Sequence, residues 1–146
     1  MTARQRNAII AAVIVVLWLL AALLLPDSAH AETWSKDRTR REVRAAAAYY
    51  KVPSKWITDA AIDIVYDGAH ESSGCTHAGK GTSCVGLFQF NRSWHASKKE
   101  WRLARAEGHT KDWRLSGRAS VYRFVRVYRD GGRAAIKRHW RATYGR

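Results

Sequence analysis

The feature that most constrains this chain is an unbroken apolar run from Ala8 to Leu25, because it takes the start of the sequence out of the folding problem. Arg4 and Arg6 precede the run, and Pro26 and the small-residue triplet Ala29-His30-Ala31 follow it, which is the layout of an export signal. One reading is cleavage after Ala31, with Pro26 ending the helix and Ala29 and Ala31 fitting a signal peptidase. The other is retention as a membrane anchor, since 18 apolar residues reach the length at which a helix can span a bilayer. In both, the two arginines stay inside and everything after Leu25 crosses the membrane, so the protein is expected to be secreted or held at the cell envelope. Of 146 residues, 115 remain to fold. That is one domain, too small for a two-lobed enzyme, an eight-stranded α/β barrel or a full dinucleotide-binding fold.

The chain carries a net charge of +14, of which +13 lies after Ala31, yet its seven Trp, six Tyr and three Phe can build a core and exclude disorder. No nucleic-acid motif accompanies the charge, so the expected partners are acidic polymers and phospholipids of a bacterial envelope, not nucleic acid. Cys75 and Cys84, with eight residues between them, both lie in the exported part. An oxidising location makes a disulfide between them the default, removing about 2.7 kcal/mol of unfolded-state entropy in the chain-entropy model. Adding His77 to the pair gives only three metal ligands at an unfamiliar spacing. His70, His77, His95, His109 and His139 show no metal pattern, so neither metal nor cofactor is expected.

Residues 32–40 are polar and charged and read as a tether. A helical pattern sets in at Arg41, and the division is 1–31 leader, 32–44 tether and 45–146 folded domain. Glu42 to Tyr50 includes four consecutive alanines and stops before Pro53. Ser54 then reads as a cap for a helix whose apolar stripe, Trp56/Ile57, Ala60/Ala61 and Ile64/Val65, runs toward Glu71. The Ser, Gly, Thr and Lys content of 72–85 predicts a loop. Gly86-Leu87-Phe88-Gln89-Phe90 alternates apolar and polar residues, and Ser97 to Glu107 reads as a surface helix. Val121, Phe124, Val125 and Tyr128 mark the clearest helix. Gly131-Gly132 ends it, and a last helix follows from Arg133 to about Thr143, with Ala134, Ala135, Ile136 and Trp140 as buried candidates. The fold class is mostly α: one small helical domain with a disulfide-pinned loop behind an export signal.

Glu71 is the candidate catalytic residue. An apolar helix delivers it to a Gly/Ser-rich loop, and the Gly-Leu-Phe-Gln-Phe segment can return to the same cleft with aromatic faces and an amide. A carboxyl half-buried against aromatics has the raised pKa that a general acid needs at neutral pH. His70-Glu71-Ser72-Ser73-Gly74 followed by Gly86-Leu87-Phe88-Gln89 resembles the paired signature of the lytic transglycosylases and goose-type members of the lysozyme superfamily. The stretches 49–74 and 118–140 are similar to the helices that carry and complete that fold.

The resemblance implies an α+β lysozyme-like domain, with Glu71 as the single catalytic acid/base and Ser72 supporting its carboxyl. Gly86, Leu87, Phe88 and Gln89 would line the sugar-binding floor, with Gln89 near the cleaved bond. It implies cleavage of the β-1,4 bond between N-acetylmuramic acid and N-acetylglucosamine in peptidoglycan, without a cofactor, by a monomer. Two departures stand out. Arg138-His139-Trp140 occupies the place of a family Ala-Tyr-Asn triplet, and a cysteine-bearing loop replaces a short Ser/Ala/Gly stretch. Two readings remain beside the lytic transglycosylase: a hydrolytic muramidase on the same fold, and a non-catalytic cationic protein that binds wall or membrane. The acidic residues that could serve a hydrolase as a second carboxylate are Glu100, Glu107, Asp112 and Asp130.

Overall fold

The computed structural model describes residues 1–24, 30–67 and 72–144, and only the backbone of residues 3, 4, 8, 18–24 and 139–144. Ala3–Leu24 forms helix α1, whose apolar composition carries it without a polar face. Among the residues whose side chains are described, no helix is long and apolar enough to cross a membrane, and in α1 those side chains end at Leu17.

The folded part begins earlier than its polar composition suggests. The Ser35 side chain accepts the Arg38 N–H and so caps helix α2, Lys36–Tyr50, with Asp37 in its first turn. Trp34, at 1% exposure, and Thr39, fully buried, belong to the core. With Val43 also buried, the stretch 32–44 read as a tether is part of the folded unit. Lys51, in the left-handed conformation, ends α2 and returns its N–H to Ala47 O and Ala48 O.

Helix α3, Ser54–Ile62, begins after Pro53, which itself occupies the cap position expected of Ser54. Its apolar stripe, including Ile57, Ala61, Ile64 and Val65, is buried, and the helix widens into a π-turn at Asp63–Asp67. Such a widening inserts a residue and re-aims the chain beyond it, and it recurs at functional sites. Tyr66 within it donates its hydroxyl to Trp34 O at 2.7 Å and accepts from Thr39, so the turn is tied to the start of α2.

Strands β1 (Cys84–Val85) and β2 (Phe90–Asn91) pair antiparallel, with Cys84 opposite Asn91 and Val85 opposite Phe90. The Gly86 to Gln89 turn joins them. The expected alternation does not occur, because Leu87, Phe88, Gln89 and Phe90 are all buried. Gly86 takes φ +89°, and a Cβ there would lie 2.1 Å from Arg114 O, so no other residue fits.

The Cys75–Cys84 disulfide is corrected: both cysteines are free, half-buried thiols. Cys75 is held in a bridge to Thr33, and Cys84 in the ladder to Asn91. Consecutive backbone turns close the loop between them, through Ala78 N to Cys75 O, Lys80 N to His77 O, Thr82 N to Gly79 O and Gly86 N to Ala78 O.

Helix α4, Lys98–Ala106, carries a full capping box: Ser97 accepts the Glu100 N–H and the Glu100 side chain accepts the Ser97 N–H. A short 3₁₀ turn, Trp113–Leu115, leads into helix α5, Gly117–Tyr144, which breaks at Gly132 (φ 62°, ψ −159°) where the sequence places its helix end. Beyond the break Ile136 is buried but Ala134 is exposed, and the side chain of Trp140 lies outside the described residues. Helix α5 packs on both α2 and α4, and α2 on α3. The Phe88 and Phe124 rings stack at 4.3 Å at the centre of this mostly helical, single-domain core.

Candidate active site

Glu71 and His70 lie outside the described residues, which resume at Ser72. The structure gives the frame on either side of them. Ser73 N donates to Val65 O at 3.0 Å, tying the chain after Glu71 back to the π-turn before it. Ser72 Oγ donates to Leu87 O at 3.0 Å in a buried contact that joins the two halves of the sequence motif. Trp34 N donates to Gly74 O at 2.8 Å and Thr76 N to Glu32 O at 2.9 Å, so residues 32–34 form a strap along 74–76. Gly74 permits that closeness: at φ +85°, a Cβ would meet Trp34 O at 2.2 Å. Burial raises the pKa of the Tyr66 phenol, against the hydrogen bond with Thr39, so the hydroxyl that anchors the π-turn stays protonated.

The four floor residues sit together, but they do not offer what the sequence suggests. Leu87 and Phe88 have no exposed surface, and the Phe88 ring is spent on Phe124, so its expected role as a sugar platform is corrected. Both side chains belong to the hydrophobic core, and the turn closes behind them with Gln89 in the left-handed conformation (φ 50°). Gln89 Nε2 donates to Gly86 O at 2.9 Å and Ala78 O at 3.1 Å, which makes the amide a brace between the motif turn and the loop. Ser72 has only one hydroxyl proton, and it is committed to Leu87. Toward any further group its side chain can only accept.

Aromatic surface that remains accessible lies elsewhere. Tyr49 is 53% exposed and sits beneath Lys99, whose ammonium is 4.7 Å from the ring. Trp56, half-buried, stacks on Tyr128 at 5.6 Å with the Arg133 guanidinium over its face. A basic pocket of about 500 Å³ is lined by Lys98, Trp101, Arg102 and Arg105 on α4.

The carboxylates divide sharply. Glu100, with no exposed surface, accepts from Arg126 Nε at 2.6 Å and Nη2 at 2.8 Å, as well as from Ser97 N. Asp112 accepts two hydrogen bonds from the Arg114 side chain, while Arg114 Nη1 reaches Ser83 O and Phe90 O at 2.9 Å each. Asp130 pairs with its neighbour Arg129 on the surface. Glu107, which accepts from Ser116 Oγ, faces a cavity of about 260 Å³ together with Glu32, Thr76 and His109. Arg114 and Arg126 carry much of the polar architecture, and nothing in the sequence beyond their charge marks either. Among the described residues no group of three or more His, Cys, Asp or Glu could hold a metal ion.

No protein-family model, curated protein or solved structure matches the chain.

Proposed function

We propose that this is an exported peptidoglycan-cleaving enzyme, a lytic transglycosylase with Glu71 as its one catalytic carboxyl group and residues 1–31 as a leader removed after Ala31. The observation that carries the reading is the buried Ser72 Oγ to Leu87 O hydrogen bond, which holds the residue next to Glu71 against the Gly-Leu-Phe-Gln turn. Two sequence fragments 15 residues apart thereby become one piece of structure. The resemblance requires that juxtaposition, and composition alone does not supply it.

The single-carboxylate mechanism draws support from how three of the four other candidate acids are used. Glu100 and Asp112 have their oxygens occupied by arginines, and Asp130 is a surface partner of Arg129. Glu71 in its acid form protonates the oxygen between N-acetylmuramic acid and the leaving sugar, and the C–O bond breaks. As carboxylate it then withdraws the proton of the muramic acid's own 6-hydroxyl, whose oxygen closes on C1. Glu71 ends protonated as it began, and no water is consumed. Ser72 suits the first step. With its own proton on Leu87 it can accept only from a protonated carboxyl, which favours the acid form. The basic surface holds the enzyme on an acidic envelope but does not choose the bond.

The Glu71→Gln variant keeps the side chain's shape and removes the transferable proton. It is expected to lose clearing of purified cell-wall suspensions while retaining the parent's circular dichroism. Clearing at the parent's rate would leave the non-catalytic, wall-binding reading in its place.

A further inference from the structure

We propose that the amino terminus created by leader cleavage is itself a structural group: the α-ammonium of Glu32 pairs with the Glu107 carboxylate in the cavity they share and locks the segment after Glu71. The inference rests on the proposed cleavage after Ala31.

The nitrogen in question is already fixed by residues that cleavage leaves in place. Glu32 N donates to Thr76 Oγ1 at 3.0 Å, and Glu32 O accepts from Thr76 N at 2.9 Å. Thr33 bridges Cys75, and the next residue, Trp34, is 1% exposed and sets the register of the strap from within the core. Removing residues 1–31 breaks none of these contacts. It converts one amide N–H into an ammonium with two further donors, and it takes His30 out of the cavity wall.

Charge selects the partner. The Glu32 carboxylate is engaged by Trp34 Nε1 at 3.0 Å and by Arg38 Nη1 at 2.9 Å. Glu107, at the end of α4, receives only the Ser116 hydroxyl among its described contacts, and it faces the cavity that Glu32 and Thr76 also line. An acidic wall in so basic a domain, at the point where processing makes a new cation, favours a tie across the cavity. The tie has a route to the proposed catalytic segment: Thr76 adjoins Cys75, whose N–H donates to Ser72 O at 2.8 Å. The other titratable groups around the amine are the Glu32 carboxylate with Arg38 on its own segment, the Cys75 thiol beside Thr76, His77 in the loop, and His109, whose ring lies 5.3 Å from that of His77; all are present in both forms of the chain, so the cycle cancels them.

The test is a thermodynamic cycle on the exported protein. Its amino terminus is sequenced, and thermal midpoints are taken for processed chain and for full-length chain with processing blocked by Ala31→Phe, each with and without Glu107→Gln, in one detergent buffer. At pH 7 Glu107→Gln is expected to lower the midpoint by about 4 °C more in the processed chain than in the unprocessed one. An α-amino group beside a carboxylate titrates above its ordinary value of about 8, so its contribution is complete below pH 8 and lost as pH rises. The 4 °C gap should therefore close by about pH 10. That window lies above the ordinary range of histidine and carboxylate. Glu107→Asp, which keeps the charge, should show little of that extra loss in the processed chain. A chain starting at Glu32 in which Glu107→Gln costs the same in both forms, or in which the gap does not change with pH, overturns the ammonium pairing alone. Exported protein that still carries residues 1–31 overturns it together with the cleavage reading, and leaves the proposed chemistry of Glu71 standing.

Discussion

Replacing Ser72 with alanine removes one hydroxyl and no packing volume, so its cost isolates the bond that joins the two halves of the motif. Ser72 is 6% exposed, and its Oγ is the donor to Leu87 O at 3.0 Å. In the variant that carbonyl loses its donor inside the core, a penalty of about 1–3 kcal/mol. For a domain near this size each kcal/mol moves the midpoint by roughly 4 °C, so a fall of about 4–12 °C is expected. Ser93→Ala, at an exposed position, is the control and should stay within about 0.5 kcal/mol. Circular dichroism melts give the midpoints, and wall clearing at a temperature chosen below both gives the activity. Clearing by Ser72→Ala should fall about tenfold or more, because a displaced segment next to Glu71 misplaces the acid by a fraction of an ångström. A midpoint within about 1 °C of the parent, with undiminished clearing, would refute the argument that this bond organises the site.

Glu100→Gln should cost about 3–5 kcal/mol in urea unfolding, since it leaves the Arg126 charge against a buried partner that can no longer balance it. The Tyr50 phenol, pushed up to about 12 by burial and then by the Glu100 carboxylate, should remain protonated in ultraviolet titration after the exposed tyrosines ionise. Its stabilising contribution is full below pH 10 and lost as pH rises toward 12, and Glu100→Gln should lower that upper limit. Burial raises the pKa of Asp112, but the Arg114 hydrogen bonds outweigh it and the net shift is downward. Its contribution is therefore present above the ordinary carboxylate value of about 3.9 and lost as pH falls through the lower folded value. Arg114→Met should remove that acid dependence, as read from midpoints between about pH 2 and 5.

The helices were largely legible because their signals are local. Ser97 and Glu100 spell the capping box of α4, Gly132 marks the break in α5, and the stripe through Ile57, Ala61 and Val65 is the buried face of α3. What failed depended on partners distant in sequence. The polar stretch 32–40 reads as a tether until Trp34 is seen to pack in the core and Thr33 to pair with Cys75, 42 residues on. The π-turn at Asp63–Asp67 leaves no mark in the apolar periodicity, which simply continues through Ile64 and Val65. Phe88 reads as a ligand platform from the motif alone, whereas its stack on the Phe124 ring places it in the core. Glu100 is fully buried and held by two nitrogens of Arg126, yet in sequence it is one charge among many on a basic helix. The Cys75 to Cys84 spacing suits a disulfide, but Cys75 is held in an isolated bridge to Thr33 and Cys84 in the ladder to Asn91.

The measurement that bears most directly on the proposed function is mass spectrometry of the products released from purified peptidoglycan by the parent and by Glu71→Gln. The account predicts muropeptides ending in 1,6-anhydro-N-acetylmuramic acid as the major species, each lighter by one water than its hydrolysis counterpart, and their absence with the variant. Reducing-end products as the major species would contradict the single-carboxylate chemistry. They would direct attention to Glu107, since Glu100 and Asp112 are already bound by Arg126 and Arg114.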